Sequence, residues 1–176
     1  MTSKIPERKF LPINIAVLTV SDTRTLKDDK SGNTLVDRIL GAGHVVIDRT
    51  IIKDDVQDII LKLEGWISKS DVDVIITTGG TGVTGRDVTP EALDDVCEKI
   101  IPGFGELFRM LSFDKIGTST IQSRATAGVA GGTYLFSLPG SPGACKDAWD
   151  DILVHQLDYR FKPCNFVELI PRLKEK

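Results

Sequence analysis

The residues best suited to chemistry in this sequence are one glycine-rich run and two aspartates. Thr77-Thr78-Gly79-Gly80-Thr81-Gly82 places three glycines within four residues, directly after an apolar run. Glycines lack Cβ, so their backbone N–H groups can come close to a phosphate. The hydroxyls of Thr77, Thr78 and Thr81 are further donors. Asp87 follows in Gly85-Arg86-Asp87, and Asp54 lies in Lys53-Asp54-Asp55. A carboxylate beside bound phosphates is useful only through a cation. Mg²⁺ suits this role, since it takes one or two carboxylates plus substrate phosphates. Taken singly, Asp87 reads as a solvated turn residue and Asp54 as a helix cap. GGTG alone is equally a tight turn without a ligand. The functional reading depends on whether these loops converge.

Other chemistries fit less well. A P-loop needs GxxxxGK[ST], and no lysine follows Gly82 or Gly85. Gly80, Gly82 and Gly85 spell GxGxxG, the nicotinamide fingerprint. That fingerprint should open a helix at once, yet Arg86, Asp87, Val88 and Thr89 intervene before Pro90. His44 and His155 are too few and too scattered for a zinc site. No serine has a GxSxG context. Cys97 and Cys145 read as small buried hydrophobes.

The elements that must position these residues follow from the pattern. Residues 13–20, 44–52, 73–78 and 133–138 are aliphatic runs that read as strands. Helices are expected over NTLVDRILGAG (33–43), over 56–69, from a hydroxyl-capped Thr89-Pro90 to about Ile101, from GELFRMLSF onward, and over 143–158. Pro102-Gly103 reads as a break. Residues 113–131 are ambiguous, read as a short helix with turns around Gln122-Ser123-Arg124. The tail RFKPCNFVELIPRLKEK is expected to be docked. Alternating strands and helices give an α/β fold with a mostly parallel sheet and helices on both faces. Ligands bind outside the carboxyl ends of such strands. Four loops then share one edge: Ser21-Asp22, Lys53-Asp54-Asp55, Gly79 to Gly82, and Pro139-Gly140-Ser141-Pro142.

Composition narrows the class. The 176 residues suit a single domain, with residues 1–12 as a flexible arm. The 22 basic and 25 acidic residues leave a net charge of −3, which argues against nucleic-acid binding. Any anionic ligand must be gripped by local devices. No run approaches a membrane span. Three widely spaced cysteines fit reduced thiols and a cytoplasmic setting.

Five ordered blocks together resemble the MoaB/MogA family of molybdenum cofactor biosynthesis, closest to its MoaB branch. They are LTVSDTR (18–24), TTGGTGVTGRDVTPEA (77–92), PGFGELFRMLSF (102–113), IGTSTIQSRATAGV (116–129) and LPGSPGAC (138–145). The resemblance implies a three-layer α/β/α fold with a doubly wound sheet that binds molybdopterin. It implies Mg-ATP-dependent adenylylation of molybdopterin with release of pyrophosphate. The alternative is a molybdopterin-binding or scaffold protein of the same pathway without that activity. Asp54 and Asp87 match the two aspartates important in active members, here taken to hold Mg²⁺. Ser21, Asp22, Thr78, Gly79, Gly80, Thr81, Gly82, Ser123 and Arg124 are the expected substrate contacts. Pro139, Gly140, Ser141 and Pro142 would face the pterin or a nucleotide. The resemblance also implies trimers or hexamers, and contacts with other proteins of the pathway.

Overall fold

The computed structural model describes residues 8–175. Its strands form on the aliphatic runs: β1 (Asn14–Val20), β2 (Val45–Ile52), β3 (Val74–Thr78) and, late in the chain, β6 (Thr133–Leu138). These four are mutually parallel, and two more strands complete a mixed sheet ordered β2-β1-β3-β6-β5-β4. β5 (Thr126–Ala130) runs antiparallel to β6, and β4 (Lys99–Ile100) antiparallel to β5.

Helices cover both faces. α1 (Lys30–Gly41), α4 (Pro102–Ile116) and α5 (Pro142–Ala148) pack on one side with Ile15, Val17, Val74, Ile76, Tyr134 and Phe136. α2 (Val56–Ile67) and α3 (Thr89–Val96) pack on the other with Ala16, Leu18, Ile75 and Leu135. Odd and even strand residues thus feed opposite cores, as the two-residue strand period requires. Each fully buried side chain such as Phe136 or Leu135 contributes roughly 1.5–3 kcal/mol relative to exposure. The α/β three-layer expectation is met, with one reversed strand, β5, next to the short β4 at one end of a doubly wound sheet.

Several features differ from the sequence reading, among them the start of α1 at Lys30 rather than Asn33. The helix from Thr89 stops at Val96, because Cys97 turns extended (φ −81°, ψ 128°) and the chain enters β4. Pro102 is the first residue of α4 rather than part of a break before a helix starting at Gly105. It occupies the first turn, where its missing N–H costs nothing. The ambiguous stretch holds the end of α4 and the expected short helix, a 3-10 turn at Gly117–Gln122, but it then forms a strand, β5, that the sequence reading did not include. The last long helix changes pitch: α5 passes through a π-turn at Trp149–Leu153 into the short α6 (Val154–Gln156).

The tail is docked as expected. Phe166 packs against Tyr134 with ring centroids 4.7 Å apart and the rings tilted by 43°. Residues 1–7 of the expected flexible arm lie outside the described residues. Arg8 makes a two-pronged pair with Glu168 (2.8 and 2.9 Å), and Phe10 lies 5.1 Å from the ring of His44. No helix of the described residues is long and apolar enough to cross a membrane.

Candidate active site

Because β1, β2, β3 and β6 are parallel, their carboxyl ends meet at one edge. The chain leaves β1 towards β2 on one side and returns to β3 on the other. This is the reversal point at which doubly wound sheets leave a crevice. A cavity of about 660 Å³ opens there. Its volume is in the range of small-molecule sites. Ser21, Asp54, Gly79, Gly80, Thr81, Gly82, Asp87, Ser123, Pro139, Gly140 and Ser141 all line it. The convergence expected from the strand pattern is therefore present.

The glycine loop has a defined shape. Gly79 and Gly80 both take positive φ (103° and 65°), a conformation that side-chain-bearing residues rarely adopt. Thr89 does not cap α3 with its hydroxyl, as the sequence suggested. Its Oγ1 donates to Gly79 O (2.8 Å), and its N–H donates to Gly80 O (2.9 Å). In a planar trans peptide the next N–H points opposite to the carbonyl. Anchoring those carbonyls on α3 therefore turns the N–H groups of Gly80 and Thr81 away from the helix. Among the described residues, no backbone acceptor binds the N–H of Gly80, Thr81 or Gly82, and the Gly82 N–H donates towards the Asp87 carboxylate.

The two aspartates occupy different environments. The cap of α2 is Asp55, whose Oδ1 accepts from the N–H of Gln57 (2.9 Å) and Asp58 (3.1 Å). Asp54 is thereby released from the capping role and faces the cavity. Burial, with repulsion from Asp22 and Asp87, raises its pKa above the usual carboxylate value. Asp87 is held by the Thr84 hydroxyl (2.6 Å) and the Thr84 N–H (2.9 Å). The hydroxyl bond leads in holding its pKa below the usual value, against some desolvation. Donors thus favour the charged form of Asp87, while burial and neighbouring acids disfavour that of Asp54.

Four expected contacts lie outside the cavity wall. Asp22 instead braces the loops: it accepts from Arg86 (2.6 and 2.8 Å) and from the Asp54 N–H (3.3 Å). The Thr78 hydroxyl is buried against Pro139 O (3.0 Å) and Cys145 Sγ (3.1 Å). Pro142 sits in the first turn of α5. Arg124 turns its guanidinium onto the glycine loop's carbonyls. Thr77, offered as a further donor, is buried within the sheet with its hydroxyl unpaired among the described residues.

The sequence reading missed the wall supplied by α4 and the following 3-10 turn. Phe108, Lys115, Ile116 and Gln122 line the cavity there. Lys115 Nζ lies 2.7 Å from both Asp147 and Asp151 on the α5 side. It falls between two of the motif blocks, and its only signal was a basic residue closing an apolar run. Arg24, inside the LTVSDTR block, also reaches the cavity. The site therefore has a polar end at the glycine loop and an apolar flank at Phe108, Ile116 and Ala144.

The fold and this crevice define a known class. A family model described as a probable molybdopterin binding domain matches residues 16–159, and the chain belongs to that family. Within the family it is similar to MoaB proteins. Molybdenum cofactor biosynthesis protein B of Escherichia coli strain K12 is 51% identical over 158 residues, covering 90% of this chain and 93% of that protein. A crystal structure of a molybdenum cofactor biosynthesis protein B superposes with a TM-score of 0.86 at 38% identity, covering 96% of this chain and all of that one. The tungsten cofactor synthesizing protein MoaB from Pyrococcus furiosus gives 0.72 at 36% identity, over 81% and 91% of the two chains. The resemblance to the MoaB/MogA family thus stands, and with it a role in molybdenum cofactor biosynthesis.

Proposed function

We propose that the chain is a molybdopterin adenylyltransferase that uses Mg-ATP. The observation supporting this reading is one cavity lined by Asp54, Asp87 and the glycine loop, whose Gly80 and Thr81 amides have no acceptor among the described residues. The loop amides of Gly80 and Thr81, with Ser123, would hold phosphate oxygens. Phe108 and Ile116 offer an apolar surface suited to a flat ring. The donor set fits Mg²⁺, which takes one or two carboxylates and completes its shell with water and phosphate oxygens. Asp54 and Asp87 would hold it, and it would neutralise the charge of the nucleotide phosphates.

The reaction needs no histidine base. A phosphate monoester has its second pKa near 6, so it is already mostly anionic at neutral pH. Its oxygen attacks the α-phosphorus of ATP, a new P–O bond forms, and the bond to the β-phosphate breaks to release pyrophosphate. The obstacle is repulsion between two polyanions, and fixed donors lower it. The chain's part is to aim the amides, seat the metal and align the two phosphates.

The test is AMP transfer from labelled ATP to molybdopterin with Mg²⁺ present. Transfer by wild type, and its loss in Asp87→Ala, is the expected result. No transfer by wild type, while Asp87→Ala binds molybdopterin normally, sinks the enzyme reading. A molybdopterin-binding protein of the same pathway would then remain.

Association of copies into a trimer or hexamer belongs to the same proposal. Met110, Phe113, Ile116 and Ile121 are all more than half exposed along α4 and the turn after it. Exposed apolar side chains along one element support such an association.

A further inference from the structure

We propose that Arg124 is a positioning residue that sets the glycine loop's shape without touching the phosphates. This rests on the reading of that loop as the phosphate cradle. Arg124 follows the 3-10 turn and precedes β5. Its backbone N–H donates to Thr81 O at 3.0 Å. Its Nε donates to Gly82 O at 2.6 Å, and one terminal nitrogen donates to Asp87 O at 2.6 Å. The other terminal nitrogen pairs with Glu91 in the first turn of α3. One residue therefore takes three carbonyls of the loop. Thr81, Gly82 and Asp87 line the cavity, and Arg124 does not.

The consequence follows from peptide geometry. Holding Thr81 O on Arg124 turns the Gly82 N–H away from Arg124. Holding Gly82 O and Asp87 O together closes the segment between them. That segment includes Thr84, whose N–H and hydroxyl fix the Asp87 carboxylate. Arg124 thus acts on the amides and on the metal-facing aspartate at once. Only a planar guanidinium offers separate donors to Gly82, Asp87 and Glu91. A lysine keeps the charge but gathers its donors on one nitrogen.

Arg124→Lys tests this. Amide exchange is followed in the wild type and the variant without ligand, and the rate of AMP transfer is titrated with Mg²⁺. The expected result is about tenfold faster exchange at the Asp87 N–H, which bonds Thr84 O at 3.0 Å in wild type. The Mg²⁺ concentration for half-maximal rate should rise severalfold. A merely structural role would lower the rate equally at every Mg²⁺ concentration. Unchanged exchange overturns the proposal. So does an unchanged Mg²⁺ profile with a raised KM for ATP or molybdopterin, the pattern of a direct phosphate ligand. If wild type transfers no AMP, the enzyme reading fails, and exchange alone decides the role of Arg124. If Arg124→Lys does not fold, Glu91→Ala replaces it, freeing one arm of the guanidinium. About threefold faster exchange at Asp87 then supports the proposal, and none overturns it.

Discussion

At the scale of residues, the site depends on a division of labour between neighbouring acids. Asp55 caps α2, Asp22 braces the loops, and Asp54 is left facing the cavity. Because burial and neighbouring acids raise the Asp54 pKa, the folded protein holds that proton more tightly than the unfolded chain does. The stability this supplies is present below the usual value near 3.8 and is lost as pH rises through the raised one. Asp54→Asn should therefore melt at a higher temperature than wild type at pH 7. The difference should shrink to nothing below about pH 4, as both side chains become neutral there. AMP transfer by the same variant should fall by at least about a hundredfold, the upper end of what loss of a mere supporting group costs a metal site. Thermal melts between pH 3 and 8, with the transfer assay, check both. The sequence showed the acids but not their roles, since Lys53-Asp54-Asp55 gives no sign of which aspartate turns back to cap the helix. Arg124 was likewise visible as a cation beside Ser123. Its true acceptors are more than thirty residues away in the chain, and only the fold brings them together.

At the scale of elements, the strands that hold the site are joined by buried polar anchors. Asp29 is 1% exposed and caps α1 through the Gly32 N–H (2.9 Å). It also accepts from the Thr19 hydroxyl on β1 (2.6 Å) and pairs with Arg49 on β2 (3.0 Å). Burial alone would raise its pKa, but these donors outweigh it and hold the group below the usual range. Asp29→Ala removes the cap and leaves Arg49 without its carboxylate, so it should cost about 3 kcal/mol in urea denaturation. The four parallel strands were legible because each is a run of aliphatic residues, and parallel direction alone sent their loops to one edge. β4 and β5 were not. β4 has two residues, and TAGVA in β5 consists mostly of small side chains. The overrun of α3 has a similar cause: Leu93, Val96, Cys97, Ile100 and Ile101 keep helical spacing across a break unmarked by glycine or proline. The cavity wall from α4 was illegible for a different reason. It closes over the crevice from outside the strand order, which periodicity does not describe.

At the scale of the whole molecule, α4 faces two ways. Phe104 and Phe108 enter the core, while Met110 and Phe113 stand 62% and 54% exposed. If copies associate through this strip, Phe113→Glu should lower the mass measured by light scattering to that of one chain while leaving the circular dichroism spectrum unchanged. An unaltered assembly would place the contact elsewhere. The direction of the sheet has a practical consequence as well. Arg8 is clasped to the tail at Glu168, and Phe10 rests on His44, just before β2 begins. Phe166 sits against Tyr134, near the start of β6. All of these lie at the sheet's amino edge, whereas the cavity opens at the carboxyl edge. Cys164, two residues before Phe166, is exposed, while Cys97 is half-buried and Cys145 buried. A dye or surface linker placed on that thiol would sit at the molecule's rear and leave the mouth of the crevice clear. Immobilised protein could then be offered nucleotide and pterin freely, without engineering any cysteine away.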